Sequence, residues 1–351
     1  MVKYANNPII TKEDVIPSHS NLKVDGVFNC GVCKYQDEIL LLCRVSESAA
    51  SSQGDINIPV MNMGKKDISI VTIKNTKDSN LNFSDPRVIT TNTRSGPKIK
   101  YLTSFSHLRL ARSKDGFQFK IDEKPFIWPE TKEESWGIED PRITQIDNTY
   151  YICYTAVSHS GPAVGLISTE DFKEYKRLGI IFAPDNKDTV IFPEKIEGMY
   201  YALNRPSSGE FNSRDMWISE SPDLIHWGNQ KHFCSTSNEG WECERIGAGA
   251  VPFKTDKGWI EIYHAANAQG RYCLGAMLLD KIHPWKIIAK TKDPILEPTQ
   301  PYETNGYFGN AVFACGCCID NDNVTIYYGA ADDKICRADI SLKEIFDALR
   351  L

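Results

Sequence analysis

The sequence predicts an all-β protein, a five-bladed β-propeller, on three observations. A strand–turn–strand unit recurs five times, a third strand of related character follows each unit, and helical periodicity is nearly absent. The units occupy residues 27–46, 138–158, 189–206, 247–266 and 311–331. Each pairs β-branched and aromatic runs across hairpin turn residues: near Asp37, at Asp147-Asn148, at Glu197-Gly198, at Asp256-Lys257-Gly258 and near Asp322-Asn323. Asn, Asp and Gly tolerate the left-handed backbone that tight hairpins need.

The third strands read 107–113, 163–168, 215–220, 272–278 and 334–340. Two copies of Val-Phe-x-Cys-Gly-x-Cys, at residues 27–33 and 312–318, occupy the same place in their repeats. Helix is expected only near the C-terminus, where Ser341 reads as an N-cap and Glu344 closes a capping box. The interval between the first and second units is about double the others. Residues 51–100 in that interval are polar, with one clear strand at 67–74. They read as an insertion in the first blade that could cover the mouth of the site. The expectation is therefore one catalytic domain over residues 1–351.

Forty Lys and Arg stand against 46 Asp and Glu, a net charge of −6 without any basic block. That balance argues against a nucleic-acid partner. No apolar run approaches the ~18 residues of a membrane helix, and the N-terminus lacks the apolar core of a signal peptide. Eleven cysteines, an odd number, favour reduced thiols and a cytoplasmic location. Cys30-Gly31-Val32-Cys33 and Cys315-Gly316-Cys317-Cys318 lie in predicted strands whose side chains alternate faces, so they read as buried small residues and no metal is expected.

The ends of the second strands carry Arg44, Thr155, Arg205 and His264, and Asp332 directly follows the last unit. Cationic or ionisable groups recurring at one structural position in an acidic protein point to an anion site. The sharpest local motif is Gly137-Ile138-Glu139-Asp140-Pro141-Arg142, where Pro141 holds Asp140 extended at the start of a strand.

These motifs carry a resemblance. Residues 137–142, with Ser106-His107-Leu108-Arg109 upstream, are similar to glycoside hydrolase family 130. So are Lys187-Asp188, Leu203-Asn204-Arg205-Pro206, residues 245–250, Tyr263-His264 and residues 327–332, in the family's order. The resemblance implies a five-bladed propeller acting on β-mannosides, mostly as inverting phosphorylases. By it, Asp140 is the general acid, reaching the glycosidic oxygen through a hydroxyl of the mannosyl unit. Lys187, Arg205, Arg245 and His264 match a phosphate cluster. Asn29, Arg44 and Asp332 match positions near sugar and phosphate, and His107, Glu139, Arg142 and Tyr263 fall in motifs assigned to the substrate. The chain departs from the pattern at Arg245, where many members have Lys, and at Cys30, where a small polar residue or Pro is usual.

Inverting hydrolysis needs a second carboxylate to activate water, whereas phosphate arrives already anionic and needs cations to hold it. One prominent carboxylate with several cations therefore favours phosphorolysis. Glu194, Glu242, Glu244 and Glu261 are the candidate bases for the alternative, a β-1,2-mannosidase; Glu261 has odd spacing from His264, and Glu194 has Lys195 beside it. A non-catalytic sugar-binding propeller would have no use for Asp140 and the cations. The expectation is cleavage of β-1,2-mannobiose or a short β-1,2-mannooligosaccharide, with inorganic phosphate as co-substrate and no metal or organic cofactor. The insertion is also suited to packing against a second copy of the chain, so a homo-oligomer is compatible with it.

Overall fold

A computed structural model describes residues 1–51, 54–74, 80–94, 96–207 and 214–351. The repeats form five antiparallel sheets. Sheet I runs Leu22–Tyr35, Glu38–Ala49, Phe105–Ser113 and Lys120–Ile121; sheet II runs Ile138–Ile146, Thr149–Ser158, Gly161–Thr169 and Lys176–Phe182. Sheet III comprises Asn186–Ile191, Tyr200–Pro206, Met216–Ser221 and Gly228–Cys234. Sheet IV comprises Arg245–Ala248, Trp259–Ala266, Tyr272–Leu279 and Ile287–Lys290, with Phe253–Lys254 also paired to its second strand. Sheet V holds Val312–Asp320, Asn323–Ala330 and Lys334–Ser341, and takes its outer strand, Val2–Lys3, from the other end of the chain. Four of the sequence turns join first and second strands, and in sheet IV the turn joins Phe253–Lys254 to the second strand.

Strand alternation explains the core. In sheet I, Leu40 and Leu42 pack toward sheet II with Ile143 and Ile152, while Leu41 and Cys43 pack toward sheet V with Tyr327 and Ile335. Further clusters join II to III through Cys153 and Ile191, III to IV through Leu203 and Ile246, and IV to V through Ile262 and Ile326. Apolar contacts thus run from each sheet to the next, and from V back to I. The first strands of sheets I, II and V also touch one another directly, as do those of II and III. The first strands thus meet one another, and in each sheet the second strand flanks the first.

The C-terminal helix forms at Leu342–Ala348, with the Ser341 side chain accepting from Glu344 N and Glu344 accepting from Ser341 N. A four-residue helix at Pro301–Thr304 and two short 3-10 turns were not anticipated. Between the second and third strands of sheet I, the chain makes a hairpin, Asp55–Asn62 with Asp67–Lys74, then a small sheet of Leu81–Asn82, Val88–Thr93 and Gly96–Leu102. Polar composition concealed all but one of these strands. Positions 52–53, 75–79 and 95 of the insertion lie outside the described residues. No described helix is long and apolar enough to cross a membrane. All eleven cysteines are free thiols, and among the described residues no His/Cys/Asp/Glu cluster has a metal-binding arrangement.

One irregularity recurs. In sheet I the register passes from Phe28↔Arg44 to Gly31↔Leu42, in sheet II from Glu139↔Thr155 to Arg142↔Cys153, and in sheet III from Lys187↔Arg205 to Val190↔Leu203. Each first strand carries one extra residue, a β-bulge, at the same level. The bulged residues Asn29, Asp140 and Asp188 have φ of 47°, 49° and 55°, so Asp140 is left-handed and not extended as Pro141 suggested, because the bulge sets its backbone. Asn and Asp are the non-glycine residues most at ease in that left-handed region, which is one reason these positions hold them.

The approach to the second bulge is tight. Gly137 has φ of 110°, and a Cβ there would lie 2.7 Å from Ser106 N and 2.8 Å from Ser106 O. Gly137→Ala should therefore cost about 1–3 kcal/mol of unfolding free energy. Urea denaturation checks this, and an unchanged midpoint would show that the backbone there yields freely.

Candidate active site

The three bulged side chains project into one cavity of about 200 Å³ where the first strands converge. Its lining brings together Asn29, Arg44, Asp140, Lys187, Arg205, Arg245, His264 and Asp332, eight of the residues singled out from sequence.

The acid side is built on sheets I and II. Asp140 is buried, and its Oδ1 accepts from Asn29 Nδ2 and from Arg44 Nη1, each at 3.0 Å. Arg44 also donates to Glu139 Oε1 at 2.8 Å and to Ser106 Oγ at 3.1 Å, which fixes the guanidinium plane. Burial would raise the Asp140 carboxyl, but Arg44, Lys187, Arg142 and the Asn29 bond outweigh it and hold it below the usual carboxylate range. Asp332 behaves oppositely. Its desolvation, together with the nearby Asp140 and Glu139 charges, exceeds the pull of Arg44 and Arg87 and lifts it from 3.8 to about 6. Asp140 and Asp332, in one cavity, are thus shifted in opposite directions by their different neighbours.

The cationic side is built on sheets III and IV around Asp188. Arg205 donates to Asp188 Oδ2 through Nε at 2.9 Å and Nη2 at 2.7 Å, and His264 Nε2 lies 3.2 Å from the same oxygen. Gly247 makes room for this meeting, since a Cβ would lie 2.6 Å from His264 Nε2 and 2.8 Å from Asp188 Oδ2. Burial opposes the Asp188 charge, yet Arg205, His264 and Arg142 keep its carboxyl well below the ordinary value. His264 moves down, because burial outweighs the attraction of Asp188. Lys187 pairs in register with Arg205, and the Arg245 guanidinium lies 5.7 Å from the Tyr272 ring.

Four sequence candidates are not in the lining. Glu139 is held beside it by Arg44. Arg142 turns inward: it donates to Asp140 O at 3.0 Å and Ala248 O at 3.1 Å, and its Nη2 faces Asp188 Oδ1 at 3.5 Å. His107 is fully buried, with its ring 5.4 Å from that of Trp128 and Nε2 3.5 Å from Glu47. Tyr263 is buried in the III–IV core and donates to Glu242 at 3.0 Å. In each case strand alternation points the side chain away from the cavity or a core acceptor captures it.

The candidate bases for hydrolysis are likewise outside. Glu194 pairs with Lys254, not Lys195; Glu242 with Lys290; Glu244 with Arg214; and buried Glu261 accepts from Gly249 N.

Sequence reasoning missed Asp188, Arg87, Tyr272, Phe308 and Phe313 in the lining. Asp188 had a signal, since the Lys187-Asp188 pair already stood among the resembling motifs, although only Lys187 was given a role. Arg87 had none: it comes from the insertion, is paired with Asp85 and lies 4.7 Å from the Phe308 ring.

Two expectations follow. Arg142→Met leaves the buried carbonyls of Asp140 and Ala248 without a donor while Asp188 keeps Arg205, so stability should fall by about 1–3 kcal/mol in chemical denaturation. A loss within error of zero would make these contacts dispensable. Asp332 binds its proton more tightly folded than unfolded, so its contribution is fully present below about pH 4 and is lost as pH rises through about 6. Asp332→Asn cannot ionise and should gain on wild type across that window; a melting-temperature difference that stays flat would refute it.

Comparison with known proteins follows the same lines. The model of glycoside hydrolase family 130, described as beta-1,4-mannooligosaccharide phosphorylase, matches residues 98–351. The chain is 44% identical to beta-1,2-mannobiose phosphorylase of Listeria innocua serovar 6a, over 99% of this chain and 98% of that protein. It is 40% identical to 1,2-beta-oligomannan phosphorylase of a Thermoanaerobacter species, over 71% of this chain and 83% of that protein. The solved complex of the Listeria innocua enzyme with beta-1,2-mannobiose superposes with a TM-score of 0.96 over 99% of both chains. The order of motifs, the sheets that carry them and a match to most of the chain agree, and the chain belongs to glycoside hydrolase family 130.

Proposed function

We infer that this protein is a β-1,2-mannoside phosphorylase, acting on β-1,2-mannobiose or short β-1,2-mannooligosaccharides with inorganic phosphate. The observation that carries the reading is the division of one cavity between a buried acid, Asp140, and a cationic wall of Lys187, Arg205, Arg245 and His264. The named activities of the 44% and 40% identical relatives support the same substrate class.

In the proposed reaction, phosphate held by that wall attacks C1 of the terminal mannosyl unit. The C1–oxygen glycosidic bond breaks as the C1–phosphate bond forms. Asp140 supplies the proton that the leaving oxygen needs, relayed through a hydroxyl of the same sugar. A single displacement inverts the centre, so a β-mannoside gives α-mannose 1-phosphate and an acceptor shorter by one unit. Asn29, Arg44 and Asp332 orient the sugar on the acid side. Asp140 must be protonated when the bond breaks, although Lys187 and its other cationic neighbours favour the carboxylate in the free protein. With both substrates bound, phosphate beside Lys187 offsets that field and the sugar excludes water from the carboxylate, and together they return Asp140 toward its acid form.

Three wider readings accompany the activity. The cyclic order of apolar clusters from sheet I to V supports a five-bladed propeller, with residues 51–100 inserted in its first blade. Eleven free thiols support a reducing, cytoplasmic setting. No metal or organic cofactor is required, because protonation alone makes a sugar hydroxyl a competent leaving group.

The test offers β-1,2-mannobiose with and without phosphate and follows mannose 1-phosphate. Phosphate-dependent formation of the α-anomer is expected; free mannose released at a rate indifferent to phosphate would convert the reading to a hydrolase. Asp140→Asn should fold normally and lose activity by about 10²–10⁴-fold, the usual contribution of a general acid. Retained turnover would remove Asp140 from that role. Arg205→Ala should chiefly raise the phosphate KM, and an unchanged phosphate dependence counts against its assignment.

A further inference from the structure

The mechanism above gives Asp188 no part, yet its carboxylate organises the cationic wall. Arg205 and His264 meet on its Oδ2, and Arg142 faces its Oδ1. Because the ionised carboxylate is an acceptor only, the imidazole hydrogen of a neutral His264 must sit on Nε2. Nδ1 is then left with a lone pair. That nitrogen is buried and makes no hydrogen bond to protein, while the ring itself borders the cavity, 4.1 Å from the Phe313 ring.

A bare lone pair is a poor neighbour for a phosphate oxygen, since both are acceptors. A second proton on Nδ1 converts the ring into a cationic donor. The groups facing the ring divide between help and opposition: Asp188 favours its positive charge, Arg205 and Arg142 oppose it, and Phe313 and Tyr272 flank it without charge. An arriving dianion tips that balance toward protonation.

We propose that Asp188 is a positioning residue that makes His264 a proton-dependent phosphate ligand. It anchors the Nε2 hydrogen, Nδ1 takes up one proton as phosphate binds, and the Asp188 carboxylate carries the compensating charge. The proposal rests on the phosphorylase reading, since it assigns a state to a ligand of that phosphate. Its proton balance is closed. Hydrogen phosphate dianion binds together with one proton from solvent, whereas dihydrogen phosphate delivers its own proton to Nδ1.

Calorimetric titration with inorganic phosphate, at a pH where the dianion prevails and in buffers of different ionisation enthalpy, counts the protons. Wild type should take up about one proton per site. Asp140→Asn, whose side chain cannot take up a proton, should keep that uptake, because phosphate without the sugar leaves Asp140 ionised. His264→Gln should abolish it. Asp188→Asn should abolish it and weaken phosphate by about 10–100-fold, the range for partners that orient the ligands of a charged centre. Uptake that survives His264→Gln, disappears in Asp140→Asn or is missing from a phosphate-binding wild type overturns the proposal. So does an Asp188→Asn protein with wild-type uptake. Should that variant not fold by circular dichroism, wild type, Asp140→Asn and His264→Gln decide alone. A wild type that binds β-1,2-mannobiose but gives no phosphate heat overturns the phosphorylase reading as well.

Discussion

The cationic side of the cavity is organised by one buried carboxylate, Asp188, on which Arg142, Arg205 and His264 meet. Arg142 reaches from sheet II to a carboxylate on sheet III and to carbonyls on sheet IV, while donating back to the carbonyl of Asp140. Burying a guanidinium costs several kcal/mol unless its donors find acceptors. Here two of the acceptors are the backbone of Asp140 and the side chain of Asp188, so satisfying the charge also ties the two bulges together. The same Asp188 then neutralises Arg205 and anchors the neutral His264 ring. Without it the cationic wall would gather like charges in a dry space, and with it the wall is assembled before any anion arrives.

The bulges explain why polar groups can stand where apolar strands meet. A regular strand alternates its side chains between the two neighbouring sheets, as Leu40 to Cys43 do in sheet I. An extra residue in the left-handed region breaks that alternation and turns one side chain toward the common centre. Asn29, Asp140 and Asp188 come from three sheets by the same device. Glycines complete it by omission: Gly329 leaves the space that Asn29 fills, as Gly247 does for His264 and Asp188.

Much of this was legible in the chain. The five hairpin units, their turns, the capped C-terminal helix and eight of the cavity residues follow from turn chemistry, β-propensity, strand ends and a family's motifs. The failures are equally particular. His107, Arg142 and Tyr263 sit in the right motifs, but their side chains face core acceptors. The insertion looked nearly strandless because its strands are short and half exposed, so they lack the alternation that marks a strand against a core. Arg87 reaches the cavity from that insertion, where no local pattern marks it.

The sequence by itself determined which residues form strands, where they turn and which positions tolerate a bulge, because these are local properties of backbone and side chain. Only the tertiary structure decided which charges meet. Arg142 and Asp188 are separated by 46 residues, Asp188 and His264 by 76, and Asn29 and Asp140 by 111. Those distances in the chain are closed by the packing of one sheet on the next, and burial then converts each meeting into a strong interaction. The division of the cavity into an acid side and a cationic side is therefore a property of the packed sheets, written in no single motif.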